Sequence, residues 1–393
     1  MLLEIFLFLI LGIFFGTITG LIPGIHINLI GIILISISTK YLYVNPIYSI
    51  VFITSMSITH TFVDFIPSIF LGCPDTETEL SILPGHKLLK KGHGYAAVIL
   101  TNKGSIAATI LFTVIAFPTI LIISTLSPLI EKIIPFILII ISFLLILKEK
   151  QKSIALEIFL ITGILGLIIF NLNIENSLLP LLTGLFGSPL LIQSIKKRTI
   201  IPKQKIINPK IKIKKPILGS LLASPFCSFL PGIGAGQAAI IGNSLIKTNR
   251  DGFLILLGAT NTFVMCFSFL SLYAINKTRT GSALAIKELS NSLSQELLIL
   301  VLLTILISGI ISFFLTKKLT KMISQKITNF NYTKISITTL SILILVVFFI
   351  TSLKGVLIFT AATLIGLYST KYKIRKTNMM GCLLIPTIWI YLS

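Results

Sequence analysis

The chain has 393 residues, of which 54% are hydrophobic and 11% charged, and its mean hydropathy is +1.01. A water-soluble domain carries roughly 25% charged residues, so a soluble globular fold is excluded. The net charge of +21 is no sign of nucleic acid: Lys and Arg gather between apolar runs, where the positive-inside rule places cytoplasmic loops that meet anionic membrane lipid.

In chain order, apolar runs fall near 2–22, 25–38, 46–62, 105–124, 128–147, 154–170 and 178–195. After a basic segment, 196–215, come 216–230, 233–246, 252–275, 294–316, 335–350, 353–369 and 377–392. About 20 apolar residues are needed to cross a bilayer core. The first run has no small-residue cleavage site after it and reads as a retained span. Runs 25–38, 216–230 and 233–246 are too short to cross and read as half-helices or hairpin arms. The expected fold class is therefore all-α: a polytopic integral membrane protein with roughly ten to twelve transmembrane helices. The segment 196–215, KKRTIIPKQKIINPKIKIKK, holds nine Lys or Arg and no acid. It reads as a cytoplasmic linker between a first membrane half, 1–195, and a second, 216–393.

The two halves read as repeats, of inverted topology. At a shift of 208, Pro23-Gly24-Ile25 falls on Pro231-Gly232-Ile233, and Gly12, Gly16 and Gly20 fall on Ser220, Ser224 and Ser228. Small residues four apart make a smooth helix face that admits a close neighbour. At shifts of 201 and 202, His60-Thr61-Phe62-Val63 resembles Asn261-Thr262-Phe263-Val264, and Thr76-Glu77-Thr78 resembles Thr278-Arg279-Thr280.

A Pro-Gly pair stops a helix, since proline removes a donor and glycine tolerates left-handed backbone. Lipid cannot solvate the freed amides, so a break at membrane depth survives only against protein or a wet cavity. A helix restarting there aims its positive end at the cavity, which suits an anion. Paired breaks in two repeats point to a secondary transporter's binding site, whereas a hairpin turn at the bilayer surface is the plainer alternative. The candidate anion-binding residues are Pro23, Gly24, Asn28, Thr61, Pro231, Gly232, Gly234, Gly236, Gln237, Asn261, Thr262, Thr278, Arg279 and Thr280.

Asp64, Asp75, Glu77 and Glu79 cluster in an otherwise apolar stretch, 62–85. Its counterpart places Lys277 and Arg279 opposite Asp75 and Glu77. Arginine grips carboxylate or phosphate, and carboxylates hold a proton or sodium ion. His60, Asp64, Asp75 and Glu77 are thus candidates for ion coupling, unless these segments are solvated loops. His86 and His93 flank Lys87 to Lys91 and read as loop residues. HExxH is absent, and GIGAG at 232–236 follows no strand. The expectation is a chain that is no enzyme and holds neither metal nor cofactor beyond a coupling Na+ or H+.

The blocks LIPGIHINLIG and FLPGIGAGQAAIIG resemble the repeated signature of the TctA family, the large membrane subunit of tripartite tricarboxylate transporters. The stretch SIFLGCPDTETELSILPGHKLLKKGHGYAAV, 68–98, is similar to the archaeal branch of that family. The resemblance implies a multi-pass permease of a prokaryotic, archaeal cell membrane that moves a small organic anion, possible carboxylates included, by symport. It also implies a small membrane subunit and an extracytoplasmic binding protein as partners, and leaves a homodimer open. The acids at 75, 77 and 79 stand where the main branch is neutral, which disfavours a trianionic cargo. A transporter or flippase of a phosphorylated lipid carrier such as polyprenyl phosphate is the alternative, since helix N-termini and Arg279 serve a phosphate equally well.

Overall fold

The computed structural model describes residues 2–22, 45–72, 78–147, 149–172, 174, 177–198, 201–228, 234–278, 280–290, 293–327 and 331–392. Among these all regular secondary structure is helical, with no strand. Among the described residues, eight helical segments are long and apolar enough to cross a membrane. α1 is Leu2–Leu21, α2 Pro46–Val63 and α3 Phe65–Leu71, followed by a short 3₁₀ turn at Glu79–Ser81 and α4, Ile82–Leu89. α5 is Gly94–Leu147, α6 Lys152–Asn171 and α7 Leu178–Lys196. The second half of the chain gives α8 (Lys214–Ser228), α9 (Ala235–Leu245), α10 (Arg250–Ile275) and α11 (Gly281–Ser290). α12 (Gln295–Lys326), α13 (Tyr332–Lys371) and α14 (Gly381–Leu392) close the chain.

Two of the sequence's apolar runs fuse in α5, a single helix of 54 residues. Runs 335–350 and 353–369 likewise share α13, whose path is kinked between them at Ser352 (φ 56°, ψ −163°). α7 is one element with a wider π turn at Thr183–Gly187 in its middle.

Burial sorts the helices into a centre and a rim. In the most apolar windows of α2–α3 and α10, 89% and 94% of residues are buried, against 28% in α1. The rim helices turn large apolar side chains outward, among them Leu2, Phe6 and Phe14 of α1 and Val114 and Leu121 of α5. Lipid is the solvent such a surface requires.

Small residues set how the rim meets the centre. A Cβ on Gly12 would lie 1.9 Å from Ser55 Oγ, and one on Gly16 would lie 2.4 Å from the Met56 carbonyl. α1 therefore packs backbone to backbone on α2. In the second half, α8 packs on α10 at the matching positions, where the Thr260 hydroxyl donates to Ser220 Oγ at 3.0 Å.

Each half also lends a long helix to the other's centre. α5 crosses α10, where a Cβ on Gly104 would sit 2.0 Å from the Ile255 carbonyl and the Ser105 hydroxyl donates to the Gly258 carbonyl at 3.1 Å. α12 crosses α2, where the Ser312 hydroxyl donates to Thr59 Oγ1 at 2.9 Å. Both crossing helices carry buried hydroxyls every fourth residue, Thr101, Ser105 and Thr109 on α5 and Thr304, Ser308 and Ser312 on α12.

α8 and α9 form a hairpin. Gly219 and Gly242 face each other so closely that a Cβ on either would lie within 2.9 Å of the other's carbonyl oxygen. Lys214, at the start of α8, and Lys247, just beyond α9, line one common cavity. The two arms therefore start and finish at one face of the molecule. With 15 and 11 residues they rise about 22 and 16 Å, short of the roughly 30 Å hydrocarbon core.

Candidate functional site

The two central helices carry the polar residues that an apolar core must account for. On α2, Thr54, Ser55, Ser57, Thr59, His60 and Thr61 are buried, and so is Asp64 at the α2–α3 junction. Asp64 is 3% exposed and accepts a 2.8 Å hydrogen bond at Oδ2 from the Asn261 carboxamide of α10, itself 3% exposed. One helical turn earlier on α2, Thr61 Oγ1 lies 3.3 Å from Thr262 Oγ1. These two threonines stand at matching places in the HTFV and NTFV blocks, 201 residues apart. His60 Nδ1 lies 3.1 Å from Thr19 Oγ1 on α1, and that hydroxyl also reaches the Gly16 carbonyl. Four residues thus meet across the α2–α10 contact, and His60 with Thr19 across the neighbouring α1–α2 contact.

The Thr-X-Thr blocks are tied down in the same manner in both halves. Ser68 of α3 donates to Thr78 Oγ1 at 2.9 Å, and Ser268 of α10 pairs with Thr280 Oγ1 at 2.9 Å. Thr280 also accepts the Ala283 amide at the start of α11. Thr278 is half-buried, in the turn after Asn276, whose φ is 51°.

The hairpin contributes a different kind of site. α8 ends at Ser228 and α9 begins at Ala235, on either side of Pro231-Gly232. Gly234 caps α9, and the Gln237 carboxamide oxygen folds back to accept its N–H at 2.7 Å. That bond fixes the orientation of the carboxamide, so its NH2 group points the other way. Gln237 is 2% exposed, and among the described residues its Nε2 has no hydrogen-bond acceptor. Gly236 is buried in the first turn of the same helix. A positive helix end and a buried, unspent amide donor are therefore adjacent, and both are matched by a carboxylate oxygen.

Residues 6–381 match the model of the tripartite tricarboxylate transporter TctA family. The chain belongs to the TctA family. An uncharacterized protein of Methanocaldococcus jannaschii is 33% identical over 398 residues, covering 98% of each of the two chains. No solved structure matches. The TctA family is one of membrane transporters, and its members are the large subunit of a tripartite assembly, so this is a multi-pass transporter subunit.

Of the candidate anion-binding and ion-coupling residues, Thr61 and Asp64 gather with Asn261 and Thr262 at the α2–α10 contact of this TctA-family protein, while His60 meets Thr19 at the α1–α2 contact. Gly234, Gly236 and Gln237 form the head of α9. Thr278 and Thr280 lie at the turn before α11. Pro23, Gly24, Asn28, Asp75, Glu77, Pro231, Gly232 and Arg279 lie outside the described residues.

Sequence reasoning missed three features. His86 is no loop residue: it is 4% exposed, with Nδ1 3.3 Å from the Ile69 carbonyl and Nε2 3.4 Å from the Tyr332 hydroxyl. Burial, reinforced by the charge of Lys90, pulls its pKa down to about 4. Thr19 passed unnoticed as a partner for His60, although its place beside Gly20 on the small-residue face of α1 was a usable signal. The Ser68 and Ser268 anchors of the Thr-X-Thr blocks carried no signal, because a lone serine in an apolar run is the commonest kind of polar exception.

Proposed function

We propose that this TctA-family protein is a secondary active transporter that moves an organic anion, a carboxylate, across the cell membrane, coupled to sodium or protons by alternating access. The observation that carries this reading is the Gln237 carboxamide. A buried donor without an acceptor costs about 1–3 kcal/mol, and it sits at the head of a helix that begins beside a Pro-Gly break. A bound carboxylate relieves both costs at once. On this reading the matching Pro23-Gly24 break with Asn28, the Pro231-Gly232 pair, and Arg279 complete the pocket from both halves.

The Asp64–Asn261 contact is the proposed coupling element, with His60 beside it and Asp75 and Glu77 as further candidates. A carboxylate 3% exposed among apolar helices is stable only when protonated, cation-bound or well paired. Loading it with a proton or sodium ion changes how tightly α2 and α10 hold together, and α2 and α10 belong to different halves of the chain. The meeting of Thr61 with Thr262 and the reciprocal crossings of α5 and α12 support two related halves, 1–195 and 216–393, joined by the 196–215 segment. In the tripartite arrangement a small membrane subunit and an extracytoplasmic binding protein are the partners. No nucleic acid and no cofactor enter this mechanism.

The test is uptake into proteoliposomes of labelled di- and tricarboxylates under an imposed sodium or proton gradient. Gln237→Glu keeps the capping oxygen over Gly234 but removes both amide hydrogens and places negative charge beside the cargo. We expect uptake to fall at least tenfold with reconstitution unchanged; unchanged uptake by Gln237→Glu contradicts the proposal.

A further inference from the structure

The segment 201–213 has no regular secondary structure, yet it is fixed to the protein. The Gln204 carboxamide donates to the Leu89 carbonyl at 3.1 Å and accepts the Gly94 amide at 2.8 Å. The Lys205 amide donates to the Gly92 carbonyl at 2.7 Å, and Lys103 of α5 donates to the Pro209 carbonyl. Ile211 packs against the main apolar core. The basic segment is therefore a strap laid over the corner between α4 and α5, not a free tether.

Strapping fixes where the lysines stand. Lys210, Lys212, Lys214, Lys215 and Lys247 line one open cavity of about 1060 Å³, shared with the apolar Ile211, Ile213 and Pro216 and with Thr248, Asn249 and Gly252. None of the lining residues is acidic. The nearest acid in sequence, Asp251, is paired with Arg250 at 3.4 Å. The cavity also meets the N-terminus of α10, a helix of 26 residues whose positive end adds to the field. Five exposed lysines are thus brought to one open groove with no acid in its lining, which favours an anion there.

Place decides which anion. Lys214 begins α8 and Lys247 follows α9, so the cavity lies at the feet of the hairpin, where helices leave the aqueous side and enter the apolar region. Headgroup phosphates lie at that level, and juxtamembrane lysines are attracted to them. We propose that this cavity is a site for the phosphate headgroup of an anionic lipid. It clamps the strap to the base of the α8–α9 hairpin. It shares no residue with the transport site, and its occupancy sets how firmly the hairpin's feet are held.

The experiment uses the full-length protein in neutral detergent, with lipid binding followed by native mass spectrometry and thermal unfolding. The probes are dioctanoyl phosphatidic acid, dioctanoyl phosphatidylcholine and inorganic pyrophosphate. Phosphatidic acid is expected to bind and raise the unfolding temperature, with phosphatidylcholine inert. The triple variant Lys212→Ala, Lys214→Ala, Lys247→Ala is expected to bind phosphatidic acid about 100-fold more weakly. A control triple variant on α12, Lys317→Ala, Lys318→Ala, Lys321→Ala, is expected to bind as the parent does. Lys247→Ala alone, with a loss of about fivefold, serves if the triple variant does not fold. Equal losses in the two triple variants mean diffuse attraction and overturn the site. Pyrophosphate binding as tightly as phosphatidic acid overturns the assignment to lipid.

Discussion

Asn261→Ala and Asp64→Ala, made singly and together, test the contact that joins the two central helices. In the parent, the Asn261 amide donates to Asp64 Oδ2 at 2.8 Å with both residues 3% exposed. A hydrogen bond to a charged acceptor contributes about 1.5–3 kcal/mol, whereas neutral interhelical bonds within membranes average only about 0.6 kcal/mol. Thermal unfolding or urea-driven unfolding of the purified protein gives the four stabilities of the cycle. A coupling energy of about 1.5–3 kcal/mol is expected where Asp64 is ionised and about 0.6 kcal/mol where it is protonated. Distant, unconnected sites add within roughly 0.5 kcal/mol. A coupling below that limit refutes the claim that this pair ties α2 to α10. Repeating the cycle in saturating sodium and at two pH values then asks whether the coupling energy responds to the ion, as the proposed mechanism requires.

Further expectations follow from single contacts. Gly104→Ala places a Cβ 2.0 Å from the Ile255 carbonyl and Gly258→Ala one 2.1 Å from the Thr101 carbonyl; each should cost about 1–3 kcal/mol, read as a lower unfolding temperature. Gly72→Ala meets no atom nearer than 3.9 Å but has φ 70°, so its smaller cost of about 1 kcal/mol comes from backbone strain alone. His86 has its pKa drawn down to about 4 from its ordinary 6.5. The unfolded chain therefore takes up the proton first as pH falls, and stability present above pH 6.5 is lost between 6.5 and 4. The slope is about 1.4 kcal/mol per unit there, and His86→Phe should flatten it. Thr61→Val and Thr262→Val should have matching effects on stability, within roughly 0.5 kcal/mol, if the two positions are equivalent across a pseudo-two-fold axis.

Much of the architecture was legible because a membrane leaves few choices. The kink at Ser352 between runs 335–350 and 353–369 and the short α8 and α9 of the hairpin follow from run length. The HTFV and NTFV blocks were found by their shared letters, and Thr61 and Thr262 do meet. The identity of Asn261 as Asp64's partner was not legible, because matching letters pair Asn261 with His60, whereas spatial pairing crosses the two helices antisymmetrically. α5 hid its length for another reason: Pro118, Pro128 and Pro135 lie inside it, and each reads as a helix end when tertiary packing is unknown. His86 was misplaced because neighbouring lysines suggest solvent, while α4 is an amphipathic turn that hides one face under Tyr332. The 196–215 segment reads as a cytoplasmic linker on charge alone, which says nothing of how it is held. Gln204, which fixes it, is a single polar residue with no pattern around it.

The most direct measurement of the central claim is carboxylate binding to purified parent and Gln237→Leu protein, by calorimetry with and without sodium. Leucine removes the unspent buried donor, so the unliganded variant should unfold no earlier than the parent beyond the loss of one N-terminal capping bond, about 1 kcal/mol. The account predicts that a di- or tricarboxylate binds the parent and binds Gln237→Leu at least tenfold more weakly. Equal affinity in the two proteins contradicts it.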